Sequence, residues 1–304
     1  MIKWPLFIPS YHRHDNLKTV KTMKKIGWAP SSIYVFIDDE ADDKADYVQS
    51  CAQLGVNLVV FDMSEARKRY DYVHRPSVSR RSAGQARNMF QDFAKKNGIV
   101  NYIVQDDDTN GLQVRPFGKY ERKADAAVVS DVCDAVFDLM KRKHLGLFGL
   151  SQTGDMFEKY TTGILRNKVM NFCFYDTRYL YRGERGVQDN DTSMFASVLN
   201  CGLFTGSLRS GLVLQQTASS VQKGGLTDLY NECKLLNKSL VTVIQYPSAI
   251  HAEKQKKNGG RLHHRIEYRF LKPMLIKVDK GNNIAWDTYD EDIPFTNECI
   301  VERV

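Results

Sequence analysis

Short apolar runs alternate with helical patterns along the first third of the chain, and this alternation constrains the fold more than any other feature. Buried strands are predicted at residues 4–10, 32–37, 56–61 and 101–105. Amphipathic patterns that predict helices lie between them, and the first two helices end at Gly27 and Gly55. Strands that alternate with helices in this way pair in parallel through crossover connections. The sequence therefore predicts an α/β fold in which helices flank a sheet.

The remainder of the chain predicts further elements of both kinds. A helix is expected over residues 124–142, and strands are expected at residues 146–151, 169–175, 212–216, 240–245 and 265–278. A chain of 304 residues forms one large α/β domain or two small ones.

Composition excludes several classes of protein. The longest apolar runs, such as Leu145–Leu150, are too short to span a bilayer, and Pro5 and Pro9 interrupt the N-terminal stretch where a signal peptide needs an apolar helix. The six cysteines are scattered without a C-x-x-C pair, which fits reduced thiols better than disulfides or a zinc site. We expect a cytoplasmic protein with no membrane span. The net charge of +7 permits a polyanionic partner without requiring one.

Three consecutive carboxylates, Asp106, Asp107 and Asp108, follow the fourth strand. Adjacent like charges at the end of a buried strand are costly unless a cation or hydrogen-bond donors meet them. Hard divalent ions take oxygen ligands, so a D-x-D pair here suits Mg²⁺ or Mn²⁺ carrying a diphosphate. In extended geometry Asp106 and Asp108 point to one side and Asp107 to the other. The alternative is an acidic loop exposed to solvent.

Other polar residues follow the first two strands at the same predicted edge of the sheet. Pro9 and Ser10 end the first strand, with Tyr11 and Arg13 in the next turn, and Asp38 ends the second strand. Ligands of open α/β sheets bind at this edge. Capping and packing are the alternative roles for Tyr11 and Arg13, and an N-cap or solvated turn is the alternative for the Asp38-Asp39-Glu40 run.

The helix predicted over residues 82–96 begins with small residues that permit close backbone approach. Its N-terminal dipole, together with Arg81 or Arg87, would favour a bound diphosphate. Simple helix packing is the alternative.

Basic segments occur at residues 64–81, 111–123 and 251–265. The first interleaves bases with aromatics, as a loop that follows phosphates would. The second is expected to be a mobile or acceptor-facing loop, and the third could close over a pyrophosphate. A solvated basic face is the alternative for each of them.

Several of these motifs together carry a family resemblance. The order G-x-A-R-N at Gly84–Asn88, helix, strand and D-x-D, preceded by the opening run Ile8–Arg13, resembles nucleotide-sugar glycosyltransferases of the GT-A fold over residues 4–110. Within that superfamily the chain most resembles the phage-type TET/JBP-associated transferases that act on modified DNA bases. The resemblance implies a Rossmann-like mixed sheet flanked by helices, in a single domain over residues 1–304. Residues 1–110 would bind the nucleotide sugar, and residues 111–304 would supply the acceptor-side elements and a C-terminal loop.

The resemblance also implies roles for the candidate residues. Donor binding would involve Pro9, Ser10, Tyr11, Arg13, Asp38, Arg81, Arg87, Asp106 and Asp107. Asp38 would accept the uracil N–H, and Asp108 with Asp106 would hold Mn²⁺ or Mg²⁺. A C-terminal histidine would complete the metal shell, with His251 preferred to His263.

An acidic residue near the start of a later helix would remove the proton of the acceptor hydroxyl. The family commonly has Glu-Asp at this point, whereas this chain has Gln188-Asp189, so Asp191 remains a rival to Asp189 for the catalytic role. Either residue could instead cap the helix.

These inferences predict a metal-dependent glycosyltransferase that uses a UDP-sugar. The expected acceptor is a 5-hydroxymethylpyrimidine in phage DNA, which would place the protein in the host cytoplasm. One alternative is the same chemistry on a surface glycan or a protein. Others are a D-x-D phosphatase, which should carry Thr or Val where this chain has Asn110, and a DNA-binding module without catalysis.

Overall fold

The structure is a computed structural model that describes residues 1–68, 83–115, 122–143, 145–152, 164–165, 169, 172–178, 190–200, 204–216, 240–254 and 262–271. None of the helices in these ranges combines the length and apolar character that a bilayer crossing requires.

The first four strands are β1 (Leu6–Pro9), β2 (Ile33–Asp38), β3 (Asn57–Phe61) and β4 (Asn101–Gln105). They are parallel and stand in the order β3-β2-β1-β4. Ile8 faces Val35, and Leu6 faces Ile103. The four predicted strands and their parallel pairing are confirmed, and their carboxyl ends meet at one edge of the sheet.

Six more strands extend this mixed sheet: β5 (Thr109–Arg115), β6 (Arg122–Lys123), β7 (Leu145–Gln152), β8 (Ile164–Leu165), β9 (Phe172–Asp176) and β10 (Phe204–Gln216). From β4 the order continues β9-β7-β10-β5-β6, and β8 also pairs with β10. β9 is antiparallel to β4 and β7, and β5 is antiparallel to β10. β4 and β5 are consecutive in the chain, yet β9, β7 and β10 stand between them in the sheet.

Helices cover both faces of the sheet: α1 (Lys18–Ile26), α2 (Lys44–Leu54), α3 (Met63–Lys68), α4 (Ala83–Lys96), α5 (Ala126–Lys143) and α6 (Asn190–Asn200). Successive strand side chains point to opposite faces. Leu6 and Ile8 therefore join one core, which includes apolar residues of α1, α2 and α5. Phe7 joins the other, which includes Phe90 of α4 and Met194 of α6. The result is a three-layer α/β arrangement, as predicted.

The loop expected over residues 111–123 is wrong for residues 111–115, which belong to β5, and for residues 122–123, which form β6, and residues 116–121 lie outside the described ranges. Leu112 is buried, and Val114 packs against the same core, with polar Gln113 between them. This alternation is typical of a strand with one buried face, but the glycine and the basic residues around it obscured the pattern.

The expected strand over residues 240–245 is helical. Val241 and Thr242 are buried, and the N–H of Tyr246 donates to the carbonyl of Thr242 at 2.9 Å, which is a helical hydrogen bond. Strand propensity of branched residues largely reflects their packing, so tertiary contacts override it here.

The expected strand over residues 265–278 is wrong at residues 268–271, which are helical, and only residues 265–266 of it lie in a strand. A separate hairpin pairs β11 (Ile250–Lys254) with β12 (Leu262–Ile266), and a turn of 3₁₀ helix follows at Tyr268–Leu271. Residues 272–278 of the expected strand lie outside the described ranges.

Candidate active site

The three carboxylates form a turn between β4 and β5, hereafter the acidic turn (residues 106–108). Asp108 is buried, with an exposed fraction of 4%, and the other two are partly buried. The extended geometry expected for these residues is wrong, because the chain reverses direction here. Asp107 lies against the β1–α1 turn, where it contacts Arg13 and Ser10.

Two threonines in the N-terminal half of α1 hold the backbone of the acidic turn. The hydroxyl of Thr19 donates to the carbonyl of Asp106 at 2.6 Å and accepts from the N–H of Thr109 at 2.9 Å. The hydroxyl of Thr22 donates to the carbonyl of Thr109 at 3.2 Å. Thr19 is fully buried. Both ends of the acidic turn are therefore fixed by a helix that follows β1.

Asp107 is held by residues of the β1–α1 turn. Its Oδ1 is ion-paired with Nη1 of Arg13, and its Oδ2 accepts a hydrogen bond from the Ser10 hydroxyl at 3.2 Å. Burial raises the pKa of Asp107 to about 7, Arg13 opposes the rise, and the charges of Asp108 and Asp106 add to it.

Tyr47 of α2 supports both of these partners. Its Oη accepts the backbone N–H of Arg13 at 3.0 Å and lies 2.8 Å from the Ser10 hydroxyl. The single proton of Ser10 is directed to Asp107, so Tyr47 must donate to Ser10. Burial raises the pKa of Tyr47 above its ordinary value, which keeps the phenol protonated for that role.

Asp106 is paired with Arg87 of the G-x-A-R-N motif. Nη2 of Arg87 contacts Oδ1 of Asp106, and the Arg87 side chain is 11% exposed. Gly84 and Ala86, which precede it in α4, are buried. The small residues therefore allow α4 to pack closely while Arg87 reaches the end of β4.

The acidic run after β2 divides into different roles. Oδ1 of Asp39 accepts the N–H of Met63 at the start of α3 at 2.9 Å. Glu40 accepts hydrogen bonds from Arg67 at 2.7 and 2.6 Å. Asp38 is buried at the carboxyl end of β2. Asp39 and Glu40 therefore contact α3. Asp38 lies at the edge of the sheet where β1 and β4 also end.

The start of α6 lies against the β11–β12 hairpin. Asp191 is partly buried in the first turn of α6, and the next residue, Thr192, has its hydroxyl 3.4 Å from Nε2 of buried His264. His264 faces Ala252 across the hairpin, whereas exposed His251 faces Arg265. Because cross-strand partners share a face, His251 and His264 point to opposite sides of the hairpin.

Some predicted site residues fall outside the described ranges. These are Arg81, Asp189 and most of the basic segments, at residues 69–81, 116–121 and 255–261. Tyr11 lies in the described β1–α1 turn, and its ring contacts that of His12.

Sequence reasoning missed Thr19, Tyr47 and His264. Their partners are distant in the chain, at separations of 90, 34 and 72 residues respectively. The only local signal is a polar atom within an otherwise apolar helical stripe, as for Thr19 beside Val20 and for Tyr47 before Cys51.

The acidic turn suits a hard divalent cation. Its carboxylate oxygens are ligands that Mg²⁺ and Mn²⁺ prefer, and Mg²⁺ is usually held by one or two carboxylates together with substrate phosphates. Arg13 is paired with Asp107, and Arg87 is paired with Asp106. In the described ranges no group of three or more His, Cys, Asp and Glu side chains is placed to hold a metal ion, so the expected gathering of His251 with Asp106 and Asp108 is not seen.

Comparisons with individual known proteins give only a distant likeness, which carries no argument about function. A comparison with curated proteins found no match. Among solved structures, the mannose-1-phosphate geranyltransferase from Thermus thermophilus matches at 12% identity with a TM-score of 0.28. That match covers 50% of this chain and 42% of the other, so the chain spans less than half the length of that protein.

The profile of the TET-Associated Glycosyltransferase family matches residues 4–225. The match includes the acidic turn, the two arginines paired with it, and all strands of the main sheet. The predicted resemblance and the predicted enzyme class are confirmed. The chain belongs to the TET-associated glycosyltransferase family.

Proposed function

We propose that this glycosyltransferase moves a sugar from a UDP-sugar to the hydroxyl group of a 5-hydroxymethylpyrimidine in DNA. The observation that carries the proposal is the acidic turn, which is fixed to α1 and paired with Arg13 and Arg87 where β1 and β4 end. Family membership supports transfer from a nucleotide-sugar donor over the phosphatase and the non-catalytic module.

The donor would lie along the carboxyl ends of β1, β2 and β4, where open α/β sheets bind ligands. Asp38, buried at the end of β2, would accept the uracil N–H. Pro9, Ser10 and Tyr11 would line the nucleoside, because the turn after β1 lies beside the acidic turn. Asp39 and Glu40 are engaged with α3, which favours Asp38 for this contact.

Asp106 and Asp108 would hold Mn²⁺ or Mg²⁺, which when bound neutralises charge on the departing diphosphate. Among the described residues, Arg13 and Arg87 place positive charge beside these carboxylates. Both side chains are fixed before the donor arrives, so they need little reorganisation to stabilise charge that develops on the UDP oxygen.

Asp191 and Asp189 are the candidates for the general base. In an inverting transfer the acceptor oxygen attacks the anomeric carbon, the bond from that carbon to the UDP oxygen breaks, and the hydroxyl proton passes to the carboxylate. Asp191 is partly buried in the first turn of α6. If the reaction retains configuration, the carboxylate has another role.

DNA as the acceptor rests on the narrower family likeness and on the net charge of +7. Basic residues at 67–81 and 115–123 would contact phosphates, which makes binding dependent on salt. The target base must leave the stack to reach the donor.

Transfer of a labelled sugar tests the proposal. The purified chain is incubated with Mn²⁺ and a panel of radiolabelled UDP-sugars, together with a duplex that carries 5-hydroxymethylcytosine or 5-hydroxymethyluracil. An otherwise identical unmodified duplex is the control. We expect label on the modified duplex alone, and less label as salt rises. Hydrolysis of the donor at low salt without label on DNA would overturn the acceptor assignment, and label on a glycan or protein fraction would replace it.

A further inference from the structure

Tyr47 lies outside every motif that indicated the function, yet its hydroxyl is at the centre of the donor-side network. The residue is fully buried and projects from α2, which leads from the second strand to the third. Its Oη accepts the N–H of Arg13 at 3.0 Å and contacts the Ser10 hydroxyl at 2.8 Å. One atom of α2 therefore holds both residues that bind Asp107.

The hydrogen bonds of this network run in one direction. Tyr47 donates to Ser10, and Ser10 donates to Oδ2 of Asp107 at 3.2 Å. Arg13 completes the connection, because its backbone donates to Tyr47 while its side chain pairs with Oδ1 of Asp107. A shift of the phenol oxygen would thus disturb both partners of the Asp107 carboxylate.

The backbone between these two contacts is strained, which supports a holding role for Tyr47. His12 has a φ of 53°, in the left-handed region that residues other than glycine rarely adopt. Such a conformation persists when surrounding contacts determine it. Ser10 and Arg13 flank this position and both contact Tyr47, so its phenol oxygen bridges the two ends of the strained segment.

We propose that Tyr47 is a positioning residue of the donor site, which acts through Ser10 and Arg13 to hold Asp107 and the β1–α1 turn in the donor-binding arrangement. The proposal rests on the proposed function for its kinetic consequence. Its structural consequence, an ordered turn over residues 10–14, is independent of any donor.

The test uses Tyr47→Phe, which removes the hydroxyl and keeps the ring. Tyr102→Phe is the matched control, because Tyr102 is also fully buried but lies in the β4 layer against Phe7 and Tyr175. Thermal unfolding checks that both variants are folded. Ser10→Ala, alone and combined with Tyr47→Phe, tests whether Tyr47 acts through Ser10.

Hydrogen exchange without ligand is the first measurement. We expect the Arg13 amide to exchange roughly tenfold faster in Tyr47→Phe and to be unchanged in Tyr102→Phe, because only the first loses an acceptor for that N–H. Equal exchange of this amide in the native chain and Tyr47→Phe would overturn the proposal, whether or not the chain binds UDP.

Steady-state kinetics is the second measurement. We expect Tyr47→Phe to raise the donor KM about tenfold, with kcat and the acceptor KM within about twofold of the native values. The double variant should lose less than the product of the two single losses. Faster exchange with an unchanged donor KM, or fully multiplicative losses, would overturn the proposal. A native chain that transfers no sugar would refute the proposed function, while the exchange result would still decide whether Tyr47 holds the turn.

Discussion

Asp107 illustrates the free-energy cost of burying a carboxylate beside two others. Its pKa of about 7 reflects burial first, while the neighbouring charges of Asp108 and Asp106 raise it further. Arg13 offsets only part of this effect. Residues arranged for function often lower stability in this way, so removing one of the charges should separate function from stability.

Asp108→Asn tests that separation. We expect it to lower sugar transfer at least ~100-fold, because the substituted residue would no longer bind the cation as a carboxylate. The free energy of unfolding should stay level or rise by up to about 1 kcal/mol, because one repulsive neighbour of Asp107 is gone. Transfer assays and urea unfolding measure the two effects. Asp138→Asn, on an exposed residue of α5 paired with Arg142, should change neither by much, and full activity in Asp108→Asn would contradict its role.

His14 provides a prediction about pH. Its Nδ1 lies 3.0 Å from Oδ2 of Asp43, and this hydrogen bond, with the charges of Asp46, Asp43 and Asp15, raises the pKa of His14 above 6.5 against a smaller opposing effect of burial. A raised folded-state pKa stabilises the protein fully below the unfolded value and loses that contribution as pH rises through the folded value.

His14→Asn should therefore destabilise the protein more at pH 5.5 than at pH 8.5. Because the pair is partly exposed to solvent, we expect the difference to be at most about 1 kcal/mol. Urea unfolding of both chains at the two pH values measures it. A loss of stability that is the same at both pH values would show that the ion pair with Asp43 contributes nothing.

Among the contacts between secondary-structure elements, the one between α1 and the acidic turn sets the position of the carboxylates. Thr19 and Thr22 bind backbone groups on both sides of the turn, so the helix determines where the carboxylates lie. A comparable contact between a threonine hydroxyl and the backbone lies just before the start of β4. There the Thr177 hydroxyl donates to the carbonyls of Ile99 and Val100 at 3.2 and 3.0 Å.

Thr19→Val and Thr177→Val compare these two contacts. Each removes a hydroxyl that binds backbone groups, and Thr19→Val should cost about 1–3 kcal/mol because it leaves buried partners unsatisfied. We expect Thr19→Val also to lower kcat/KM about tenfold or more, and Thr177→Val to leave kcat/KM unchanged. Urea unfolding and transfer assays measure both. Loss of activity in proportion to stability in both variants would show that the α1 contact has no special role.

The sequence predicted those elements whose signals are local. The apolar runs of β1 to β4 and the amphipathic pattern of α4 need only neighbouring residues, and the carboxylate at Asp106 was correctly assigned to a strand end. The failures involve contacts between distant residues. β5 becomes a strand by pairing with β10, and the helix at 240–245 buries Val241 in contacts that no local pattern specifies. Tyr47 and Thr19 were missed for the same reason.

At the scale of the whole molecule, the parallel strands of the first half and the strands of the second half form one sheet. A ligand that binds at the carboxyl ends of the parallel strands should therefore stabilise more than its immediate surroundings. Binding to the folded state alone raises the free energy of unfolding in proportion to the logarithm of ligand concentration.

UDP and Mn²⁺ together should raise Tm by roughly 5 °C at a ligand concentration near 100 times Kd. We expect a much smaller rise from either alone, and reversal by EDTA, because the diphosphate and the carboxylates would share the ion. Differential scanning calorimetry measures the shift. GDP with Mn²⁺ is the control for the uracil contact of Asp38, and an equal shift with GDP would remove the preference for UDP.

The separation of β4 from β5 in the sheet sets the shape of the molecule. Three strands lie between them, so in a flat sheet they would stand about 19 Å apart. The chain from Gln105 to Thr109 crosses that gap in four residue steps, which reach about 14 Å at most. The sheet must therefore curve until the end of β4 lies near the start of β5. The three carboxylates lie in the short segment that joins β4 to β5, so glycines inserted into this segment should let the sheet open and should move the carboxylates apart from Arg13 and Arg87.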